Sequence, residues 1–381
     1  MKIALVSPYD FSHPGGVGRH ITSLNKYFTS LGHEVKIIAP ASKVVNDFGD
    51  RFIRIGKPFP IPASDSVIRI SLSLHLAPTI KEVLAREKFD IIHLHEPFMP
   101  MLCSAILRFS NTVNVGTFHA AQGKPGYNWG KPITTWMLSR RARHLHGFIA
   151  VSKPARDYVR QFVPADYEII PNGVDTHFFR PDVEPLEQYM DGKLNIVFLS
   201  RLEFRKGANY LLKAFLEIKR QMPNTRLLIC GAGTRLRKRY EAWVHQNRLE
   251  DVVFTGMVPE QDIARYYRTA DIFCLPATSH ESFGLILVEA MATGRPIVAT
   301  NIPGYASVIT HGEEGLLVPP MMVRPLSDAL LTLLNDKQRR LQMGQKGIIT
   351  AQKYAWEGVG SRVLSYYGKT IEKMRQERIV E

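Results

Sequence analysis

The sequence predicts an α/β protein made of two doubly wound parallel-sheet domains. Three observations carry this. Short apolar runs of strand length alternate with helical patterns, the order that gives parallel sheets covered by helices. The alternation stops in a polar, proline-containing stretch near residues 174–193 and restarts at LNIVFLSRL. The 381 residues suffice for two domains of ordinary size. The expected division is 1–185, completed by a C-terminal helix over 358–381, and 186–357. Doubly wound sheets bind ligands at the carboxyl ends of their strands, so a deep cleft between the two domains is the expected site.

In order, residues 2–7 form a buried strand, the loop PYDFSHPGGVGRH follows, and a helix runs to Leu31. LGHEVKIIAP gives a second strand. Glycines 15, 16 and 18 occupy the first turn. They do not form the dinucleotide fingerprint, and no acidic residue ends the second strand. Gly16 lets a ligand approach the backbone closely, or serves the turn alone. Residues 41–75 read as irregular, with PFPIPASDS a proline-rich loop. TIKEVLAREKF is a helix and DIIHLHEP a buried strand with a polar end. MLCSAILRFS is a helix, and the strand VNVGTFHA ends at His119, which contacts substrate or is a satisfied structural histidine. WMLSRRARHLH is a basic helical patch, either solvated or laid on a membrane through Trp136 and Met137. GFIAVSKPARDYV is a strand and helix, and PNGVD a turn.

In the second half LNIVFLSRL, TRLLICGAG, VVFTGMVP, DIFCLPATSHESFG and EGLLVPP each supply a strand. Arg201 and Lys206 follow the first of these across a glycine-bearing loop, where they clamp a diphosphate or form a surface basic cluster, and their place at the strand's carboxyl end favours the clamp. The central stretch is PATSHESFGLILVEAMATGRPIVATNIPG. It predicts a loop, a helix from about Phe283 to Thr293 and a buried strand at Ile297–Thr300. Ser282 and Gly284 suit a helix N-terminus, where free N–H groups and the helix dipole hold an anion. Glu281 precedes that terminus. Glu289 lies in an apolar run, where a carboxylate is costly without a partner. A diphosphate on the N–H groups, a sugar on Glu281 and a ribose on Glu289 would use each polar group. PLSDALLTLLND is a helix, the last forty residues are helical, and KYAWEGVGSRVLSYYGKTIEK is long enough to cross back onto the first domain.

Composition narrows the class. Hydrophobic content of 45% with 22% charged residues is that of a soluble globular enzyme. Cys103, Cys230 and Cys274 are widely spaced in apolar surroundings, the pattern of core residues in a reducing compartment and not of metal ligands. No apolar run approaches the ~20 residues of a membrane span, and Met1 leads directly into a strand, so no signal peptide is expected. A net charge of +14 draws phosphate or an anionic bilayer. The basic runs lack the interleaved aromatics of a base-stacking surface, so nucleic acid is not an expected partner.

GGV after the first strand, SRLEFRKG after the linker, PNGVD, and HESFGLILVEAMATGRPIVAT together resemble glycosyltransferase family 4, with the two-domain GT-B fold. SPYDFSHPGGVGRHI, PFPIPASDSVIRI, FDIIHLHEPFMP and GTFHA, in the acceptor half, resemble the family's phosphatidylinositol mannosyltransferase branch. The resemblance implies a retaining hexosyl transfer without metal or other cofactor. The donor would be a nucleotide sugar, GDP-mannose or a UDP-sugar. The acceptor would be a lipid such as phosphatidylinositol at an anionic membrane surface. It places the protein in the cytoplasm, peripherally on the inner face of the cell membrane. The absence of an Asp-x-Asp motif agrees with metal independence.

The resemblance also assigns residues. Arg201 and Lys206 fall at the diphosphate clamp, with Arg205 beside them in the donor set, and Glu281 at the donor-sugar glutamate. Ser282, Phe283, Gly284 and Leu285 line the phosphate and sugar, Glu289 meets the ribose, and Gly16 and Val258 complete the donor set. His119 lies near the reacting sugar. The catalytic group is then His119, Arg201, Lys206 and Glu281, and the acceptor contacts are Tyr9, Gly18, Ser64 and Arg69. Four positions depart from the branch pattern. Gly18 and Ser64 replace larger amide side chains, Ile263 replaces a lysine near the base, and Ala120 follows the histidine in place of threonine. These bear on the acceptor and the base, and leave the diphosphate motifs intact. A nucleotide-sugar 2-epimerase shares the two-domain plan and remains open, and a non-catalytic sugar-nucleotide binding module is disfavoured because both glutamates and both cations are present. A nicotinamide dehydrogenase is disfavoured by the missing fingerprint.

Overall fold

The structure, a computed structural model, describes residues 1–13, 15–63, 66–73, 75–121, 131–233 and 235–380. Two compact units form, Met1–Gly173 with Trp356–Glu381, and Val174–Ala355.

Unit 1 contains β1 (Lys2–Val6), β2 (Glu34–Ala39), β3 (Phe52–Arg54), β4 (Pro58–Ala63), β5 (Ser66–Ser71), β6 (Ile91–His95), β7 (Val113–Phe118), β8 (Gly147–Ala150) and β9 (Glu168–Ile169). Its helices are α1 (Gly16–Ser30), α2 (Ala77–Glu87), α3 (Leu102–Phe109), α4 (Lys131–Ala142) and α5 (Lys153–Arg160), followed at the chain's end by a helix over Trp356–Val380. Seven strands form one sheet in the order β3-β2-β1-β6-β7-β8-β9, with every pairing parallel. Ile3, Leu5, Ile91 and Val115 have no exposed surface, as expected of parallel strands covered on both faces. The strand order reverses between β1 and β6, where a doubly wound sheet opens its ligand crevice.

The C-terminal helix returns to this unit as expected. The Tyr367 hydroxyl lies 2.6 Å from His93 Nδ1, and Tyr366 Oη accepts the Phe148 N–H at 2.8 Å. A Cβ at Gly360 would come within 2.2 Å of the Tyr27 ring, so the close packing of this helix on α1 requires glycine there.

Residues 41–75 are more regular than the sequence suggests. β3 extends the sheet, and β4 and β5 pair antiparallel. PFPIPASDS hides a strand because its prolines alternate. Pro58, Pro60 and Pro62 face Ser71, Arg69 and Val67, so all three occupy one class of pair and the intervening residues keep the ladder N–H groups. On the other side of the hairpin Tyr9 bridges Ile70.

Unit 2 contains β10 (Leu194–Leu199), β11 (Thr225–Cys230), β12 (Val252–Gly256), β13 (Ile272–Leu275), β14 (Ile297–Thr300) and β15 (Gly315–Val318). Its helices are α6 (Ala208–Gln221), α7 (Arg235–Gln246), α8 (Ile263–Thr269), α9 (Leu285–Ala292), α10 (Pro303–Ala306), α11 (Val323–Asn335) and α12 (Lys337–Gln352). The sheet order is β12-β11-β10-β13-β14-β15, all parallel. It reverses between β10 and β13. Phe198, Phe215 and Phe273 fill the core without exposure.

The division falls at 173/174 and 355/356, not at the expected 185/186 and 357/358. The Val174 N–H donates to the Tyr354 carbonyl at 2.7 Å, inside unit 2. Phe179 is buried in that unit's core, and the Leu186 N–H donates to Thr269 Oγ1 at 2.9 Å. The stretch 174–193 is polar in sequence, yet it is tied down at these points and belongs to unit 2.

Candidate functional site

In unit 2 the predicted residues gather at the switch point of the sheet. The β10 strand runs into a loop and a single 3-10 turn, Phe204–Lys206. Gly207 then opens α6 at φ +77, and a Cβ there would stand 1.8 Å from the Pro276 carbonyl oxygen. Only glycine allows the loop after β10 to lie this close to the end of β13. The Thr278 N–H donates to the Arg205 carbonyl at 2.7 Å.

This approach brings charge together. Lys206 Nζ donates to Glu281 Oε1 at 2.6 Å, and Arg205 donates to the same oxygen. Arg205 Nε also donates to Glu203 Oε2 at 2.8 Å, while Arg201 Nη1 lies 3.2 Å from Glu203 Oε1. Three cations and two carboxylates thus form one chain. Its ends differ: the Arg201 side chain is 60% exposed and that of Lys206 10%. Burial pushes the Glu281 carboxyl up, and Lys206 and Arg205 outweigh it and hold the group below its ordinary range.

Directly after Glu281 the chain enters α9. Its N-cap is Gly284, at φ +95, and Leu285 is the first helical residue, two later than the expected start at Phe283. The Phe283 side chain is buried and packs edge-on against Tyr354, with ring centroids 5.5 Å apart. Its ring is therefore a core group, and any ligand contact there belongs to the backbone. Gly304 holds this turn from behind, since a Cβ would stand 2.1 Å from the Glu281 carbonyl oxygen. Glu289 is 1% exposed, and its Oε2 accepts the Tyr267 hydroxyl at 2.8 Å. The partner that its apolar setting demands is thus present. Val258 follows β12 and packs against the same core.

In unit 1 Tyr9, Gly16 and Gly18 follow β1 and His119 follows β7, while Arg69 lies within β5. A Cβ at Gly16 or Gly18 would meet nothing within 4 Å among the described residues, so neither glycine is required by packing. Tyr9 bridges Ile70, and the Asp10 N–H donates to the Arg69 carbonyl at 2.9 Å. Two of the predicted acceptor residues, Tyr9 and Arg69, therefore sit on neighbouring segments. Ser64 lies outside the described residues.

His119 belongs to a larger cluster than the sequence suggests. His95 Nδ1 lies 3.0 Å from His119 Nε2, His20 packs edge-on against both rings, and Asn172 hydrogen-bonds the His20 and His119 side chains. Glu96 Oε1 accepts the N–H groups of His119 and Ala120 at 2.7 and 2.8 Å. Burial pushes His119 far below the ordinary histidine range, with His20 and His93 adding to the effect, so its ring is neutral at pH 7.

His20, His95 and His119 offer ring nitrogens within 4.8 Å of one another. Two nitrogens bound to one tetrahedral metal at ~2.1 Å stand about 3.4 Å apart. The shorter His95–His119 approach is that of two rings sharing a proton.

Sequence reasoning missed Glu203, Glu96, His20, His95, Asn172 and Tyr267. A carboxylate between cations in RLEFRKG was a usable signal for Glu203, as was the polar end of DIIHLHEP for His95 and Glu96. All three cysteines are buried and unpaired, as predicted. Among the described residues no helix is long and apolar enough to cross a membrane.

Residues 187–349 match the model for glycosyl transferases group 1, and residues 14–178 match glycosyltransferase family 4. The chain is 33% identical over 376 residues to a phosphatidyl-myo-inositol mannosyltransferase of Mycobacterium tuberculosis, covering 96% of each chain. The chain belongs to glycosyltransferase family 4. Solved structures extend the likeness to the fold. A sucrose-phosphate synthase of Thermosynechococcus elongatus superposes with a TM-score of 0.78 at 21% identity, over 98% of this family 4 chain and 99% of the other. Anabaena HepE in complex with UDP and glucose gives 0.76 at 19% identity, over 96% and 98%. The fold of this glycosyltransferase is therefore GT-B, two Rossmann-like domains as predicted.

Proposed function

We propose that this glycosyltransferase is a metal-independent, retaining mannosyltransferase that uses GDP-mannose and a phosphatidylinositol-type lipid at a membrane surface. The observation that supports this most is the Lys206–Glu281 contact at the switch point of unit 2, beside the N-terminus of α9. Cations beside a helix N-terminus are the combination that favours a diphosphate. The similarity to the mycobacterial mannosyltransferase along 96% of the chain favours mannose and an inositol lipid.

In the proposed reaction the bond between the sugar C1 and the β-phosphate oxygen breaks. The acceptor hydroxyl oxygen bonds C1 on the same face, and its proton passes to a departing phosphate oxygen. Arg201, Lys206 and the α9 terminus take up the negative charge that grows on the phosphate. Glu281 is committed to Lys206 and Arg205; it orders the clamp and binds the donor sugar, and is poorly placed as a nucleophile. Neutral His119 orients a sugar hydroxyl by hydrogen bonding and carries no charge into the reaction. Glu289 holds the ribose, with Tyr267 fixing its carboxylate. Gly16, Ser282, Leu285 and Val258 complete the donor contacts, and Tyr9, Gly18, Ser64 and Arg69 those to the acceptor.

A UDP-sugar donor with another acceptor is the second reading. Ile263 in place of a base-contacting lysine and the HepE complex with UDP and glucose favour it. Labelled GDP-mannose and UDP-hexoses, each with and without phosphatidylinositol, separate the two. Label extracted into the organic phase only with GDP-mannose and lipid is the expected result. Label transferred only from a UDP-sugar would replace the first reading with the second, and product without acceptor would indicate epimerisation.

A further inference from the structure

Residues 97–156 contain eight Lys or Arg and no Asp or Glu. Four of these eight cations, Lys131, Arg140, Arg141 and Arg143, lie on α4 or just past its end. Trp136 and Met137 are 60% and 43% exposed. Arg140, one turn on, places its guanidinium 5.2 Å from the centre of the Trp136 ring. Arg143 and His144, immediately past the helix end, are exposed as well. At 3.6 residues per turn Trp136, Met137 and Arg140 share one side of α4. Leu138 points the other way and is buried with Phe162 and Val163. The helix is thus anchored by one face and presents an aromatic, a thioether and Arg140 on the other, with Arg143 just past its end.

We infer that this outward face of α4 docks unit 1 on an anionic lipid bilayer, with Trp136 and Met137 at headgroup depth and Arg140 and Arg143 against lipid phosphate. Tryptophan beside arginine is the composition of an interfacial anchor. A stacking surface for single-stranded nucleic acid would need successive aromatics, and this face of α4 offers Trp136 alone. The inference rests on the lipid-acceptor reading above and names the surface that such a reading leaves open.

The test is co-sedimentation of the full chain with vesicles of phosphatidylcholine alone and of phosphatidylcholine with phosphatidylglycerol. Wild type should favour the anionic vesicles. Arg140→Ala with Arg143→Ala should weaken that partition about 30-fold, the equivalent of ~1 kcal/mol per basic residue. Trp136→Ala should weaken binding to both vesicle types. Brominated lipid should quench part of the wild-type tryptophan fluorescence, and Trp136→Phe, a conservative change, should abolish that part. Variants that sediment like wild type, or quenching unchanged in Trp136→Phe, would overturn the inference. Transfer to acceptor lipid dispersed in detergent should be equal in wild type and variants, which separates the two claims. Transfer with unaltered sedimentation sinks the docking face alone; docking without transfer to any lipid sinks the functional reading alone.

Discussion

Lys206 and Glu281 meet through Nζ and Oε1 at 2.6 Å although seventy-five residues separate them. One closes the 3-10 turn after β10 and the other precedes α9, so the contact joins the two segments that flank the sheet's switch point.

Replacing Lys206 by Ala should lower kcat more than donor affinity. Its charge counts most when the leaving phosphate becomes more negative, and loss of one such donor costs about 100- to 1,000-fold in rate. Steady-state kinetics with the donor varied will separate the terms. An unchanged kcat would remove Lys206 from the clamp.

Glu281→Gln should destabilise unit 2 by on the order of 3 kcal/mol, because two cations lose their shared, mostly buried anion. It should also change the acid limb of stability. The folded-state pKa of Glu281 is depressed, so its contribution is complete above the unfolded carboxyl pKa and is lost as pH falls through the folded value. Urea titrations between pH 3 and 7 should show a shallower acid decline in the variant. Parallel curves would show that Glu281 carries no linked stability.

Much of this was legible beforehand, for a physical reason. The β10 and β13 strands are short apolar runs, and residues after strand ends fall where doubly wound sheets bind ligands. Arg201, Lys206 and Glu281 could therefore be placed by position alone. Partnerships within the loop could not. Nothing periodic marks Glu203 as the bridge between Arg201 and Arg205. The histidine cluster draws on residues 20, 95, 119 and 172, which meet only when the sheet assembles. The hairpin over β4 and β5 was hidden because alternating prolines signal a loop, while their spacing of two suits one class of antiparallel pair. Residues 174–193 looked like a linker because their anchors, Phe179 and the Leu186 N–H, are isolated points in a polar stretch.

The buried histidines predict a second pH effect. Burial lowers His20 to about 4 and His93 to about 3, and places His95 and His119 well below the usual range. Between the unfolded value near ~6.5 and these lower values, the unfolded chain binds protons that the folded one refuses. Stability should therefore fall as pH drops through that window, by up to about 1.4 kcal/mol per unit for each histidine. It should be flat with respect to these groups above pH 7. Melting curves of wild type and His93→Phe will show whether the slope decreases in the variant.

Gly304→Ala should cost activity without touching a charged group. The new Cβ would stand 2.1 Å from the Glu281 carbonyl oxygen, forcing the turn before α9 to shift and moving Glu281 off Lys206. A lower melting temperature together with a rate loss is expected. Wild-type kinetics would show that the turn tolerates displacement.

The central claim is that a pyrophosphate is gripped by Arg201 and Lys206 on one side and the α9 terminus on the other. Calorimetric titration of GDP, GMP, UDP and UMP into wild type and Lys206→Ala tests it without relying on turnover. The wild type should bind the diphosphate of the preferred base at least ~10-fold tighter than its monophosphate, about 1.4 kcal/mol, and the variant should lose most of that preference. Equal affinity for mono- and diphosphates in the wild type, or a preference undiminished by Lys206→Ala, would contradict the account.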